Sequence, residues 1–178
     1  TQVRTNLHKP HQPHQFHPLH IRTLSRQCAR FFLPSRRFES TLVDSLLQMS
    51  IFEAAKSNNI EDVIQLLAAP GIDVNLADND GITALVWASA NGHTGVVQLL
   101  LAAPGIDVDL ASNIGRTPLI MASKNGHADI VQLLLGMDGI DVNKANINGD
   151  TALTLISWRG FSDIVKLLLA VPGIDVNL

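Results

Sequence analysis

From Ile51 onward, apolar residues come in dense bursts separated by polar, turn-forming stretches, and the bursts copy one another. Val96-Val97-Gln98-Leu99-Leu100-Leu101 returns as Ile130-Val131-Gln132-Leu133-Leu134-Leu135 and as Ile164-Val165-Lys166-Leu167-Leu168-Leu169. Val63-Ile64-Gln65-Leu66-Leu67 is a shorter upstream version. Each burst is too apolar for a helix lying on a surface, so it predicts a helix that a neighbouring unit covers. Ahead of the three longer bursts stand Thr83-Ala84-Leu85, Thr117-Pro118-Leu119 and Thr151-Ala152-Leu153. A Thr hydroxyl can N-cap a helix, and Pro118 sits where a missing N–H costs nothing, so a short helix is expected just after each Thr. It should close within two turns at Asn91-Gly92 and Asn125-Gly126, after which His93 and His127 open the second helix. Pro104-Gly105 is expected to end that second helix, and residues 163–171 are its last copy. Ile106 to Gly115 reads as an extended finger turning at Ser112-Asn113-Ile114-Gly115.

The word Gly-Ile-Asp-Val acts as a ruler, beginning at Gly71, Gly105, Gly139 and Gly173 with a constant spacing of 34 residues. A fixed period of this size marks a tandem array in which each unit buries its apolar face only against its neighbours. Function then belongs to a surface and not to a deep pocket. The units fall at about 50–72, 73–106, 107–140 and 141–178, the last ending within a following finger. The first opens with a Ser50-x-x-Glu53 capping box directly behind Met49.

Helix, tight turn, antiparallel helix and finger, carrying the Thr-Pro-Leu words and Gly-His pairs, resemble the ankyrin-repeat family over residues 50–178. The resemblance implies an all-α ankyrin-repeat solenoid of four stacked helix-turn-helix units with projecting β-hairpin-like fingers. It also implies a noncatalytic module that binds a protein partner through finger tips and the concave face of the first helices. Two departures matter. The unit is one residue longer than the family norm, and the signature His is replaced by Val86, Ile120 and Thr154. In the family that His ties neighbouring loops, so looser loops are expected here.

The family's variable positions map onto Asn79, Asp80, Ile82, Ala90 and Asn91 in the second unit. In the third they map onto Asn113, Ile114, Arg116, Lys124 and Asn125, and in the fourth onto Ile147, Asn148, Asp150, Trp158 and Arg159. Here copies that otherwise agree begin to differ, which makes these the candidate protein-binding residues. Trp158 and Arg159 lead, because Trp and Arg dominate interface hot spots. Trp87, set beside small residues, is expected in the core. Asn75, Asn143 and Asn177 each have a Leu eight residues before them, similar to the pattern by which ankyrin-repeat proteins become substrates of an asparagine hydroxylase; Asp109 breaks it. A turn-forming Asn is the simpler reading.

Composition and charge remove other classes. With 178 residues, 46% of them hydrophobic, the chain can bury a substantial core, yet no apolar run approaches the length of a membrane-spanning helix. Residues 1–38 hold seven Lys or Arg and no acid, whereas residues 39–178 hold six basic and sixteen acidic side chains, a balance of −10. An acidic array is a poor holder of phosphate backbones, so neither nucleic acid nor a membrane is an expected partner. Asp73, Asp107, Asp141 and Asp175 recur as turn formers. His93 and His127 lie too far apart to share a metal, which needs three or four convergent ligands. Asp78-Asn79-Asp80-Gly81 lacks the later Glu of a calcium loop. No catalytic residue, cofactor or metal is therefore expected, and Cys28, the single cysteine, allows no disulfide within the chain.

Residues 1–48 are expected to be a disordered or non-native leader. His8, His11, His14, His17 and His20 lie among prolines, and Arg22, Arg26 and Arg30 then share one helical face, as in a mitochondrial presequence. The expected compartment is the cytoplasm, or the mitochondrion if that presequence is genuine. A monomer is expected unless an uncapped C-terminal face self-associates. The alternative function is a structural spacer, repeats within a larger multidomain protein of which this chain is a fragment.

Overall fold

The computed structural model describes residues 51–157 and 159–177. The expectations for the leader, for Ser50 of the capping box and for Trp158 lie outside the described residues. Within them the fold is all-α. Residues 51–56 form α1, followed by α2 (Ile60–Leu67), α3 (Ala84–Asn91), α4 (Thr94–Leu101), α5 (Pro118–Asn125), α6 (Ala128–Leu135), α7 (Ala152–Ser157) and α8 (Ser162–Leu169).

The helices begin where capping chemistry places them. Thr83 Oγ1 accepts from Val86 N–H, Thr117 Oγ1 from Ile120 N–H and Thr151 Oγ1 from Thr154 N–H, and Pro118 occupies the first turn of α5. Gly92 and Gly126 close α3 and α5 in the left-handed conformation, with φ of 75° and 82°. In the first unit Asn58 takes this place at φ 55°, consistent with the tolerance of Asn for that region. The outer helices end earlier than their sequence suggested. α4 stops at Leu101, before Pro104, and α8 stops at Leu169 instead of residue 171. In both, the capping alanine already donates into the last turn, so no further residue is needed to satisfy it.

Two layers result. The first helices α3, α5 and α7 stack on one another, and the second helices α2, α4, α6 and α8 stack behind them. The core repeats with the ruler: Leu85, Leu119 and Leu153 from the first helices meet Val96, Ile130 and Ile164, and Leu100, Leu134 and Leu168, from the second. Removing one of these leucines to Ala should cost about 2–5 kcal/mol, the range for buried large-to-small changes. The all-round apolar character of α4 has its predicted cause, for Val96, Val97 and Leu100 are buried between flanking helices. Trp87 departs from expectation and is only half-buried. The first helices meet through Ala84, Ala88 and Ala122, all buried, and such close approach leaves no room for an indole.

Candidate functional site

The fingers project from this scaffold, and small polar side chains fold their tips. Position 78 and its copies are the turn formers. Asp78 Oδ1 accepts from the N–H groups of Asp80 and Ile82, both at 2.9 Å. Ser112 Oγ accepts from Arg116 N–H, and Asn146 Oδ1 from the N–H groups of Asn148 and Asp150. Each tip is closed by a backbone bond, Gly81 to Asp78, Gly115 to Ser112 and Gly149 to Asn146, at 2.9, 2.8 and 3.0 Å. The turn at residues 112–115 is thus where the sequence placed it. A second backbone bond crosses each finger, from Asp78 N–H to Ile82 O, Ser112 N–H to Arg116 O and Asn146 N–H to Asp150 O, and among the described residues one isolated bridge, Ala77 to Thr83, completes the hairpin-like character. Asp78 is engaged by the turn, and Asp73, Asp107, Asp141 and Asp175 each accept from the N–H two residues on.

Neighbouring fingers are tied together, contrary to the looseness expected from loss of the signature His. Asn75 grips the next unit with both ends of its amide: Nδ2 donates to Gly105 O at 2.7 Å, and Oδ1 accepts from Asp107 N–H at 2.8 Å. Asn143 repeats this with Gly173 O and Asp175 N–H. At the tips Asn113 N–H donates to Asp80 O and its Nδ2 to Asn79 O. His93 and His127, taken from the sequence as structural, reach back to Ala55 O and Ala90 O, at 2.7 and 3.2 Å.

Asp109 is the odd member. Its Oδ2 accepts from Asp141 N–H at 2.7 Å, as an Asn would, but Oδ1 takes the place of the amide donor and is buried without a partner. Burial pushes the Asp109 carboxyl above the ordinary aspartate value; the Asp141 N–H and the Lys144 charge oppose this, and Asp141 and Asp107 add to it. Lys144 Nζ donates to Asp109 O at 2.8 Å and so holds the same seam from the other side.

Between the tips of the third and fourth units and the first helices beneath them lies a groove of about 140 Å³. Its apolar lining is Ile114, Ile147, Met121 and Leu155, with Ile120 below; Arg116, Lys124 and Asp150 supply charge, and Asn146 and Asn148 close it. Ile147 is 68% exposed and Ile114 40%, and the two lie together on adjacent finger tips at the groove. Asp150 Oδ2 accepts from Asn146 Nδ2, whereas the Arg116 and Lys124 side chains have no hydrogen-bond or ion-pair partner among the described residues.

The candidate residues therefore divide. Ile114, Arg116, Lys124, Ile147, Asn148 and Asp150 come together in the groove. Asn79, Asp80 and Ile82 sit on the neighbouring finger, and Arg159 is exposed at the end of the fourth first-helix region. Asn91, Asn113 and Asn125 are exposed, but their amides bond to Trp87 O, Asn79 O and Ala90 O, which gives each a structural task. Sequence reasoning missed Met121 and Leu155 because it followed differences between copies. Trp87, Met121 and Leu155 fall on one 34-residue register and are all half-buried, a stripe visible once the ruler is laid along the first helices.

A family profile described as Ankyrin repeats (3 copies) matches residues 51–146 and 105–178. A 49-residue stretch is also 43% identical to part of acyl-CoA-binding domain-containing protein 6 of Xenopus tropicalis, covering 28% of this chain and 17% of that protein. The stacked helix pairs, the Thr caps and left-handed glycine caps, and a profile match across most of the chain lead to one conclusion: this chain belongs to the ankyrin-repeat family.

Proposed function

We propose that this array is a noncatalytic module that binds a protein partner across its finger tips and first helices, centred on the groove between the third and fourth units. Ankyrin repeats are in general protein-interaction modules. The observation that carries the finer reading is convergence: six positions chosen because the copies differ there line one groove with an apolar floor. A specific partner would cover about 800 Å² on each side, so the groove is the centre of such a contact and not the whole of it. The test is affinity capture from cell extract with the array and with an Ile147→Asp variant of unchanged melting temperature. A partner retained by the parent and lost by the variant is expected; equal retention by both would remove the groove from the interface.

A second reading has one observation in its favour. The similar stretch in the Xenopus tropicalis protein is a small part of a longer chain. Repeats of this kind can thus serve as a spacer between other segments. In that case the exposed groove residues would tolerate substitution with no loss of any partner, which the same capture experiment reads.

A further inference from the structure

The groove's chemistry specifies its ligand further, resting on the reading that the groove binds a protein. Three features combine. Its volume, about 140 Å³, is below the roughly 300–1,000 Å³ of small-molecule and cofactor sites. It has room for a single bulky side chain. Its floor, Ile114, Met121, Ile147 and Leu155, offers that group apolar contact and no buried polar atom to satisfy.

The charge at its rim runs against the rest of the repeat array. Residues 39–178 are strongly acidic, with sixteen acids against six bases, yet two of those six bases line this one groove. The other described Lys side chains are engaged: Lys56 lies over the Trp87 ring, Lys144 on Asp109 O, and Lys166 beside Asp163. Arg116 and Lys124 are half-buried without such partners among the described residues, and the single carboxylate in the lining, Asp150, leaves two cations against one anion. Covering two cations with an apolar surface would strip their water and return nothing, whereas a carboxylate replaces that water with charge-assisted hydrogen bonds. A basic ligand would meet both cations at close range and be rejected.

We infer that the groove accepts a segment of a protein partner presenting one bulky apolar side chain, Leu or Phe in character, with Asp or Glu side chains beside it. Leu or Phe fills the space over Ile147 and Leu155, and the carboxylates meet Arg116 and Lys124.

The probes are two sets of short fluorescein-labelled peptides with acetylated and amidated ends, so that side chains alone carry charge. Each has a central Leu or Phe among Gly and Ser, flanked by Glu in one set and by Lys in the other, and binding is read by fluorescence anisotropy. The Glu set should bind and the Lys set should not. Arg116→Glu and Lys124→Glu should each weaken the Glu set about fivefold, the upper range for a partly exposed charge pair, and the double variant should turn preference toward the Lys set. Circular dichroism confirms that each variant is folded. Equal binding of both sets, or preference for Lys, while Ile147→Ser still abolishes it, overturns the carboxylate assignment and leaves the groove standing. Binding untouched by Ile147→Ser overturns both, and absence of binding by either set overturns the inference.

Discussion

The seam between the second and third units, α3 on α5 and α4 on α6, and the seam between the third and fourth, α5 on α7 and α6 on α8, pair equivalent helices, but they are fastened differently. At the former, Asn75 makes both amide bonds at the finger base, Asn113 makes two more at the tip, and His127 and Asn125 share Ala90 O. At the latter, Asp109 makes one of the two base bonds, Lys144 adds one to the Asp109 carbonyl, and a single backbone bond of 3.3 Å from Ile147 to Ile114 joins the tips. Phe161 replaces His and lays its ring against Gly126. The second seam has thus exchanged polar ties for apolar surface, and the groove opens at that seam.

The strongest way to break the comparison is at the tips. Gly115 has φ 75°, and an added Cβ would lie 2.7 Å from Asn146 Cα; Gly149 has φ 82° with nothing within 4 Å of that point. Gly149→Ala should cost about 1–2 kcal/mol for the left-handed backbone, and Gly115→Ala about 3 kcal/mol or more because the fourth finger must also move. Equal losses in denaturant unfolding would mean that the stacked tips are not rigid neighbours.

Next in size is a transplant of the odd residue. Asn75→Asp removes the donor to Gly105 O and sets a carboxylate oxygen in its place, and should cost about 2 kcal/mol at neutral pH. The reciprocal change, Asp109→Asn, restores the missing donor and should stabilise by about 1 kcal/mol at neutral pH. The pH dependence has a definite sign. The folded state holds the Asp109 proton more tightly than the unfolded chain does. The stability this brings is complete below the ordinary aspartate value and disappears as pH rises through the higher folded value. Parent and Asp109→Asn proteins should therefore differ most at neutral pH and converge in acid; parallel melting curves from acid to neutral pH would remove Asp109 as the cause.

The smallest expected effect is at the helix turns. His127→Phe gives the second–third seam the ring its successor has, and Ala90 O keeps its bond from Asn125 Nδ2 at 2.7 Å. A loss of no more than about 0.5 kcal/mol is expected. A drop of several kcal/mol would show that His127 does more than bond to Ala90 O.

The period, the caps and the core were legible in the sequence because each rests on residues that recur: Thr before a helix, Gly after it, Leu on one register. Trp87 was misplaced since burial depends on what the neighbouring helix offers, and the small residues beside it signal close helix approach as readily as a cavity. The ties between fingers escaped notice because an amide that bonds to residues 30 and 32 positions further along looks, within its own finger, like any turn-forming Asn. Half of the groove was visible as variation between copies. Met121 and Leu155 were not, for they are apolar in every copy and differ only in shape.

Asn75 and Asn143 hold the base of the following finger by a carbonyl and an N–H of its main chain, groups present there regardless of its side chains. The side chains of that finger are therefore free of this tie, and its surface positions can diverge without loosening it.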